Sequence, residues 1–558
     1  MSLAIHQDDA DILLKQKNIL NEDNLEKYRV AGQITQTGLQ YLISLINNSY
    51  HLKTTAKISV QDLCLLSDSF LFKLLNKQYV NKVIEKGISH PTTINVNELI
   101  NGFAPEIDDE REFYFKEGDV VTLSLGVQID GYTSQVSHTI VIYPTENNKP
   151  TGPLLGNNAD AICACHIAIE SVIALLGCSL NPEKLPQNLQ SSKITGSLIR
   201  NLVDSIADQF NCIVLPGSKI RRIRRFLAGQ AEGIVAERDF KGVVWDESHQ
   251  EIRLLKQGNT TQDLIVSEKP QSTNNSSAVP NDEFFIEPGE VYQIDLKMSG
   301  LSNLNEIGII TTDEIDQFSG KNNKQDFNSK SSIFIRDFAI THQLKLKTAR
   351  KMLGEVDKKF SVYPFKLDYI GNELIDNEKS QQEINEQIAK LKQSMKSNRL
   401  GASELINRHL IKSKPIQITK FVPLKEILLT SNPTGKHGID LSKPVLPGME
   451  IPLPNIGISS IKLKSLLKTG FNISNVREST TIIINNNNNN EVLRLNGGEQ
   501  TANINWIHSN YKLNQDLQDT INYLIQLTKD KRFGINLKTI NPYKLKQQNA
   551  SVESMQID

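Results

Sequence analysis

Cysteine is scarce in this chain and odd in number: Cys64, Cys163, Cys165, Cys178 and Cys212 are the whole set in 558 residues. A disulfide-stapled secreted scaffold packs many cysteines into a short chain, so these are expected to be reduced thiols of the cytosol or nucleus. No uninterrupted run of 18 apolar residues occurs, which argues against a membrane span. The opening MSLAIHQDDADILLKQ has no signal-peptide pattern. Net charge is missing too: 62 Lys and Arg stand against 63 Asp and Glu, so any affinity for nucleic acid must come from a local patch. These shortages predict a large intracellular protein with no membrane partner. A hydrophobic content of 39% is enough to bury a sizeable core.

What is present begins with a hairpin. In GDVVTLSLGVQIDGYTSQVSHTIVIY (Gly118 to Tyr143), apolar Val121, Leu123, Leu125, Val127 and Ile129 alternate with polar or small residues up to Asp130-Gly131. That dipeptide favours a two-residue type I′ turn. The turn opposes Gln135 to Gly126, on the face that carries Ser124, whereas His138 opposes Leu123 on the other face and is expected to be a packed or surface histidine. The Cys163-Ala-Cys165-His166 run sits in a pattern of helical period, Ile162, Cys165, His166, Ile169, Val172, Ile173 and Leu176, and reads as a buried helix face with no metal role.

The run HPTTINVNELINGFAP (His90 to Pro105), the hairpin after it, ADAICACHIAIESVIALL, EPGEVYQIDLKMSG and IRDFAITHQLKLKTARKMLGEVDKKFSVYPF occur in that order between Asn21 and Leu467. Together they resemble the type 2 methionine aminopeptidases. They are more similar still to the non-peptidase relatives of those enzymes, the proliferation-associated proteins and the fungal aminopeptidase-like export factors of the large ribosomal subunit. The resemblance implies an α/β pita-bread fold, a duplicated half-barrel of antiparallel sheets covered by helices. Residues 1–20 are expected to form an N-terminal arm, 21–467 the pita-bread domain with insertions at 246–282 and 372–398, and 468–558 a C-terminal extension. The end of the chain lacks the lysine block of the proliferation-associated proteins, which favours the export factors.

The peptidases of this fold hold two divalent ions with two aspartates, a histidine and two glutamates, beside a substrate-side histidine. The resemblance assigns the aspartates to Ser124 and Gln135, the histidine ligand to Arg221, the substrate-side histidine to Gly102, and the glutamates to Asp295 and Glu426. Two carboxylates cannot clamp two ions, and an arginine has no electron pair to give a metal. An enzyme and a bound cofactor are therefore not expected. A metallopeptidase with a rearranged site stays as one alternative, and a general RNA-binding regulator as another.

Four segments are candidates for binding. SKIRRIRRFLAG (Ser218 to Gly229) follows Pro216-Gly217 and predicts a helix capped by Ser218, with Ile220, Ile223 and Leu227 inward. Lys219, Arg222 and Arg225 would then face outward, with Arg221 and Arg224 on the flanks, as a basic patch for RNA phosphates. The stretch from Asp246 to Asp282 reads as a flexible insertion. Ile384, Ile388, Leu391 and Met395 predict an amphipathic helix that docks either on its own domain or on a partner. The fourth is the C-terminal extension from about Lys468; its asparagine run Asn485 to Asn490 reads as a variable loop between two strands with no function of its own, and Trp506 and the YLIQL segment as ordered structure beyond it.

What the resemblance implies about function is a role in ribosome biogenesis. The chain would bind pre-60S particles near the peptide exit tunnel through rRNA and ribosomal proteins, engage Phe-Gly nucleoporins for export, and shuttle between nucleus and cytoplasm.

Overall fold

A computed structural model describes residues 15–109, 111–147, 149–189, 193–225, 242–247, 249–250, 284–304, 306–315, 330–360, 362–371, 381–423, 426, 466–467, 470–487, 490–498, 501, 506–530, 534–546 and 556–557. The insertion expected at 246–282 therefore lies, beyond Gln250, outside the described residues, as does most of the terminal stretch.

The first half of the fold is built on α1 (Glu22–Ile46) and α2 (Val60–Lys77), which Asn21 and Ser59 cap by accepting from the backbone N–H groups of Asn24 and Asp62. Strands β1 (Lys86–Val96), β2 (Leu99–Asn101), β3 (Val120–Ile129) and β4 (Tyr132–Val141) follow. The β3–β4 hairpin has the expected register, with Leu123 opposite His138 and Gly126 opposite Gln135. Asp130 and Gly131 take φ values of 53° and 82°, the positive pair that a type I′ turn requires. Leu123, Leu125 and Val127 point into a core shared with both helices.

The second half repeats the plan. Helix α3 (Asn157–Gly177) and α4 (Gly196–Gln209) cover β5 (Cys212–Val214), β6 (Lys219–Ile223), β7 (Gly242–Val244) and β8 (Val291–Gly300). The segment from Asn157 to Leu180 is long and apolar enough to cross a membrane, but 78% of its window is buried inside the fold, as in a core helix. Cys165 and Ile169 belong to that core and His166 lies half-buried at its edge, in agreement with the helical period.

Next come β9 (Gly308–Ile315), β10 (Ile333–Arg336), α5 (Lys347–Lys359), β11 (Phe365–Lys366), α6 (Gln381–Asn407), β12 (Ile411–Ser413) and β13 (Ile416–Pro423). Helix α6 settles the alternative left open for the 372–398 segment. Leu391 and Met395 are buried in the first core and Ile384 and Ile388 pack against it, so the helix docks on its own domain.

The chain closes with β14 (Phe471–Asn472), β15 (Val476–Asn485), β16 (Glu491–Arg494), α7 (Gln515–Lys529) and β17 (Asn536–Thr539). The ten-stranded sheet runs β1-β3-β4-β15-β8-β6-β7, with β16, β17 and β5 attached. Strand β15 is thus the seam between the two halves, pairing with β4 at Ser137–Ser479 and with β8 over eight residues. The region expected to be a C-terminal extension supplies a central strand, fully zipped to β8, and cannot be an appendage. Asn485 is the last residue of β15, and the asparagine run lies between β15 and β16, as expected.

Candidate functional site

One row of directly opposed residues crosses the sheet: Thr93, Ser124, Ser137, Ser479, Asp295 and Lys219. Opposed residues project to the same face, and so do residues two positions away. That face therefore also carries Gln135, Arg477, Gln293, Lys297 and Arg221. The hydrophobic residues of these strands, Leu123, Ile294 and Leu296 among them, occupy the other face and form the cores under the helices.

At the centre of the polar face, Asp295 is 2% exposed and takes a two-pronged ion pair from Arg477, Nε to Oδ1 at 2.7 Å and Nη2 to Oδ2 at 3.0 Å. Burial alone would raise the Asp295 carboxyl, but Arg477 and then Lys297, whose Nζ lies 4.0 Å away, outweigh it and hold the group ionised well below the usual carboxylate range. Arg221 reaches Gln293 at 3.4 Å, and Gln293 donates to Gln135 Oε1 at 2.9 Å. Ser124 and Ser137 share a hydrogen bond of 2.8 Å.

Four of the residues singled out from the sequence, Ser124, Gln135, Arg221 and Asp295, are thus brought onto one face. The other two lie outside these paired strands. Gly102 follows β2 with φ of +82°, where an added Cβ would come within 2.8 Å of the Pro415 carbonyl oxygen. Glu426 lies past the end of β13, half-buried. The strand that adjoins Asp295 is β15, so the positions facing it belong to Ser479 and Arg477. Sequence reasoning does not place Arg477 in the cleft because its strand falls in the segment expected to be an extension, nor Lys219 because its segment has helical spacing.

The basic helix is also corrected. Lys219 to Ile223 is strand β6, paired with β8 on one side and β7 on the other. Ser218 caps nothing: its Oγ accepts from Lys297 N at 3.0 Å and donates to Lys297 O at 3.2 Å. A period of two splits the cations between faces, and they are largely spent inside the fold. Arg222 pairs with Glu287 at 2.7 Å, Arg224 forks onto Glu290, and Arg225 meets Asp130 at 2.9 Å. No outward basic face forms from Lys219, Arg222 and Arg225.

The opposite face explains His138. Its Nδ1 lies 3.0 Å from Glu478, and although burial lowers its basicity, the carboxylate outweighs that and raises it. His90, at the edge of the polar face, is driven down to about 3 by burial and by the Arg477 and Lys414 charges.

The dinuclear metal centre of the peptidases does not fit these residues. It would need carboxylates where Ser124 and Gln135 are neutral and an electron-pair donor where Arg221 stands, and Asp295 is already closed by a guanidinium. Among the described residues no group of three or more His, Cys, Asp or Glu is arranged to hold an ion.

No family model matches the chain. It is 71% identical to the probable metalloprotease ARX1 of Candida albicans over the full length of both, and 48% identical to that of Saccharomyces cerevisiae over 99% of this chain and 98% of that one. The chain belongs to the ARX1 family. Proliferation-associated protein A of Dictyostelium discoideum is 23% identical over 82% of this chain and 91% of its own length. A solved thermophilic Arx1 superimposes with a TM-score of 0.53 at 18% identity, covering 90% of this chain and 98% of that one, which shows a shared fold. The fold is the α/β pita-bread class with insertions.

Proposed function

We propose that this ARX1 family member is a catalytically silent binding factor of large-subunit biogenesis. It would bind pre-60S particles near the exit tunnel, engage Phe-Gly nucleoporins and shuttle between nucleus and cytoplasm. The observation that carries the silent part is the Asp295–Arg477 fork, which sets a fixed cation where the peptidases hold metal. The particle, the nucleoporins and the shuttling are supported by the sequence resemblance alone, and the basic segment once expected to touch RNA no longer supplies that contact. A second reading, a metallopeptidase, is favoured by the name its relatives carry, probable metalloprotease. It would require ligands other than those on the polar face. Affinity purification of the tagged protein from its own cells, with the recovered RNA and proteins identified, tests the proposal: large-subunit precursors are expected. Recovery of unrelated RNAs without ribosomal proteins would favour a general RNA-binding regulator instead.

A further inference from the structure

Among the described residues, the polar face is short of negative charge. Lys219, Arg221, Lys297 and Arg477 set four cations against one carboxylate, Asp295, which leaves a surplus of three. Uncompensated charge in a partly desolvated site is costly, and a fold that keeps it is usually completed by a counter-charge from outside.

Arg477 Nη1, on a side chain 8% exposed as a residue, and Arg221 Nε are buried and find no acceptor among the described residues. The hydroxyl of Thr93 and the amide nitrogen of Asn95, on the β1 side of the same face, are likewise without partners. The Lys219 ammonium makes no hydrogen bond among the described residues, and its neighbour Arg221 and burial lower it to about 7. Burial lowers Lys297 to about 8 despite Asp295. Both shifts are what cations show when counter-charge is lacking.

We propose that this face is an oxyanion site that takes a carboxylate presented by an acidic peptide segment of a partner, with the Arg221 and Arg477 guanidiniums and the Lys219 ammonium as its donors. Guanidinium forks match carboxylate oxygens in pairs. A peptide carboxylate suits the site better than a nucleic-acid backbone. A phosphodiester strand needs cations it can run across at the surface, whereas Arg477 and Lys297 are 8% and 9% exposed and Lys219 and Arg221 half-buried. The flanking Ser124, Gln135 and Gln293 are neutral and can serve backbone amides. The proposal rests on reading the face as a binding site and not a metal centre.

The test uses the full chain and fluorescence anisotropy with four labelled probes: a capped Asp/Glu-rich peptide, its Asn/Gln counterpart, a neutral peptide with a free C-terminal carboxylate, and a single-stranded oligoribonucleotide. The metal content of the same sample is measured in parallel. The capped acidic peptide, the free-carboxylate peptide or both should bind while the Asn/Gln counterpart does not; which of the two binds tells a side-chain carboxylate from a chain end. Arg221→Gln and Lys219→Met should each weaken that binding roughly tenfold or more with an unchanged thermal melt. Among the described residues Arg221 makes no ion pair, so the first variant should fold; if the second does not, Arg221→Gln decides. Equal binding by wild type and Arg221→Gln overturns the proposal, as does failure of both carboxylate peptides, or binding of only the oligoribonucleotide through these residues. Those results in a metal-free sample leave the non-peptidase reading standing, whereas bound metal with peptide hydrolysis removes that reading as well.

Discussion

Arg477 closes two of its nitrogens on the two carboxylate oxygens of Asp295, across a strand pair that joins residues 182 positions apart. Removing either partner leaves a buried charge without its mate. Arg477→Met and Asp295→Asn should each cost about 3–5 kcal/mol, read as a fall in thermal or denaturant midpoint. Asp295→Asn enlarges the cation surplus and should gain nothing from losing a charge. The pH signature follows from the depressed Asp295 carboxyl. Its stabilisation is present above the unfolded carboxylate value near 3.9 and is lost as pH falls below that.

His90 adds acid sensitivity of the same sign in a higher pH window. In the fold it protonates only at about 3, held down by burial, Arg477 and Lys414. The unfolded chain protonates it near pH 6.5, so the unfolded state binds the extra proton and stability falls as pH drops from about 6.5 toward 3. His90→Gln should flatten the melting-temperature profile across that window. A profile identical to wild type would remove this account of His90.

Restoring a histidine at the substrate-side position should not restore a peptidase. Gly102 holds φ of +82°, and a Cβ there meets the Pro415 carbonyl at 2.8 Å. Gly102→His is expected to cost roughly 1–3 kcal/mol from backbone strain, and more from the clash. A melt shows the loss, and an assay on a methionyl peptide should show no hydrolysis.

The paired cations Arg222, Arg224 and Arg225 should behave as internal struts. Arg225 lies 2.9 Å from Asp130, with side chains 8% and 15% exposed, so Arg225→Glu sets two carboxylates against each other. A loss of about 3 kcal/mol or more is expected. A fully exposed arginine reversed to Glu would leave the melt unchanged, and that outcome would return the segment to the surface.

Much of this site was legible in the sequence, for local reasons. The Asp130-Gly131 turn fixes its own hairpin, and the hairpin fixes the face on which Ser124 and Gln135 stand, so their neutrality at ligand positions could be read before any fold was known. The α6 stripe of Ile388, Leu391 and Met395 was equally self-contained, except that sequence alone could not say whether it covered its own core. The failures are non-local. Ile220 and Ile223 have helical spacing, but β8, about 70 residues later, pairs with the segment and imposes a strand. Arg222 then sits where alternation wants an apolar residue, and Glu287 and Glu290 make that tolerable. VRESTTIII reads as a strand by itself, yet nothing in it announces that its neighbours are β4 and β8. Without that pairing, Arg477 could not be matched to Asp295.

The central claim is that the pita-bread cleft holds fixed cations in place of metal, and the most direct measurement is elemental analysis of the purified protein beside a chelator-controlled assay on methionyl peptides. The account predicts no stoichiometric divalent metal and no release of methionine. About two ions per chain, with hydrolysis that a chelator abolishes, would contradict it.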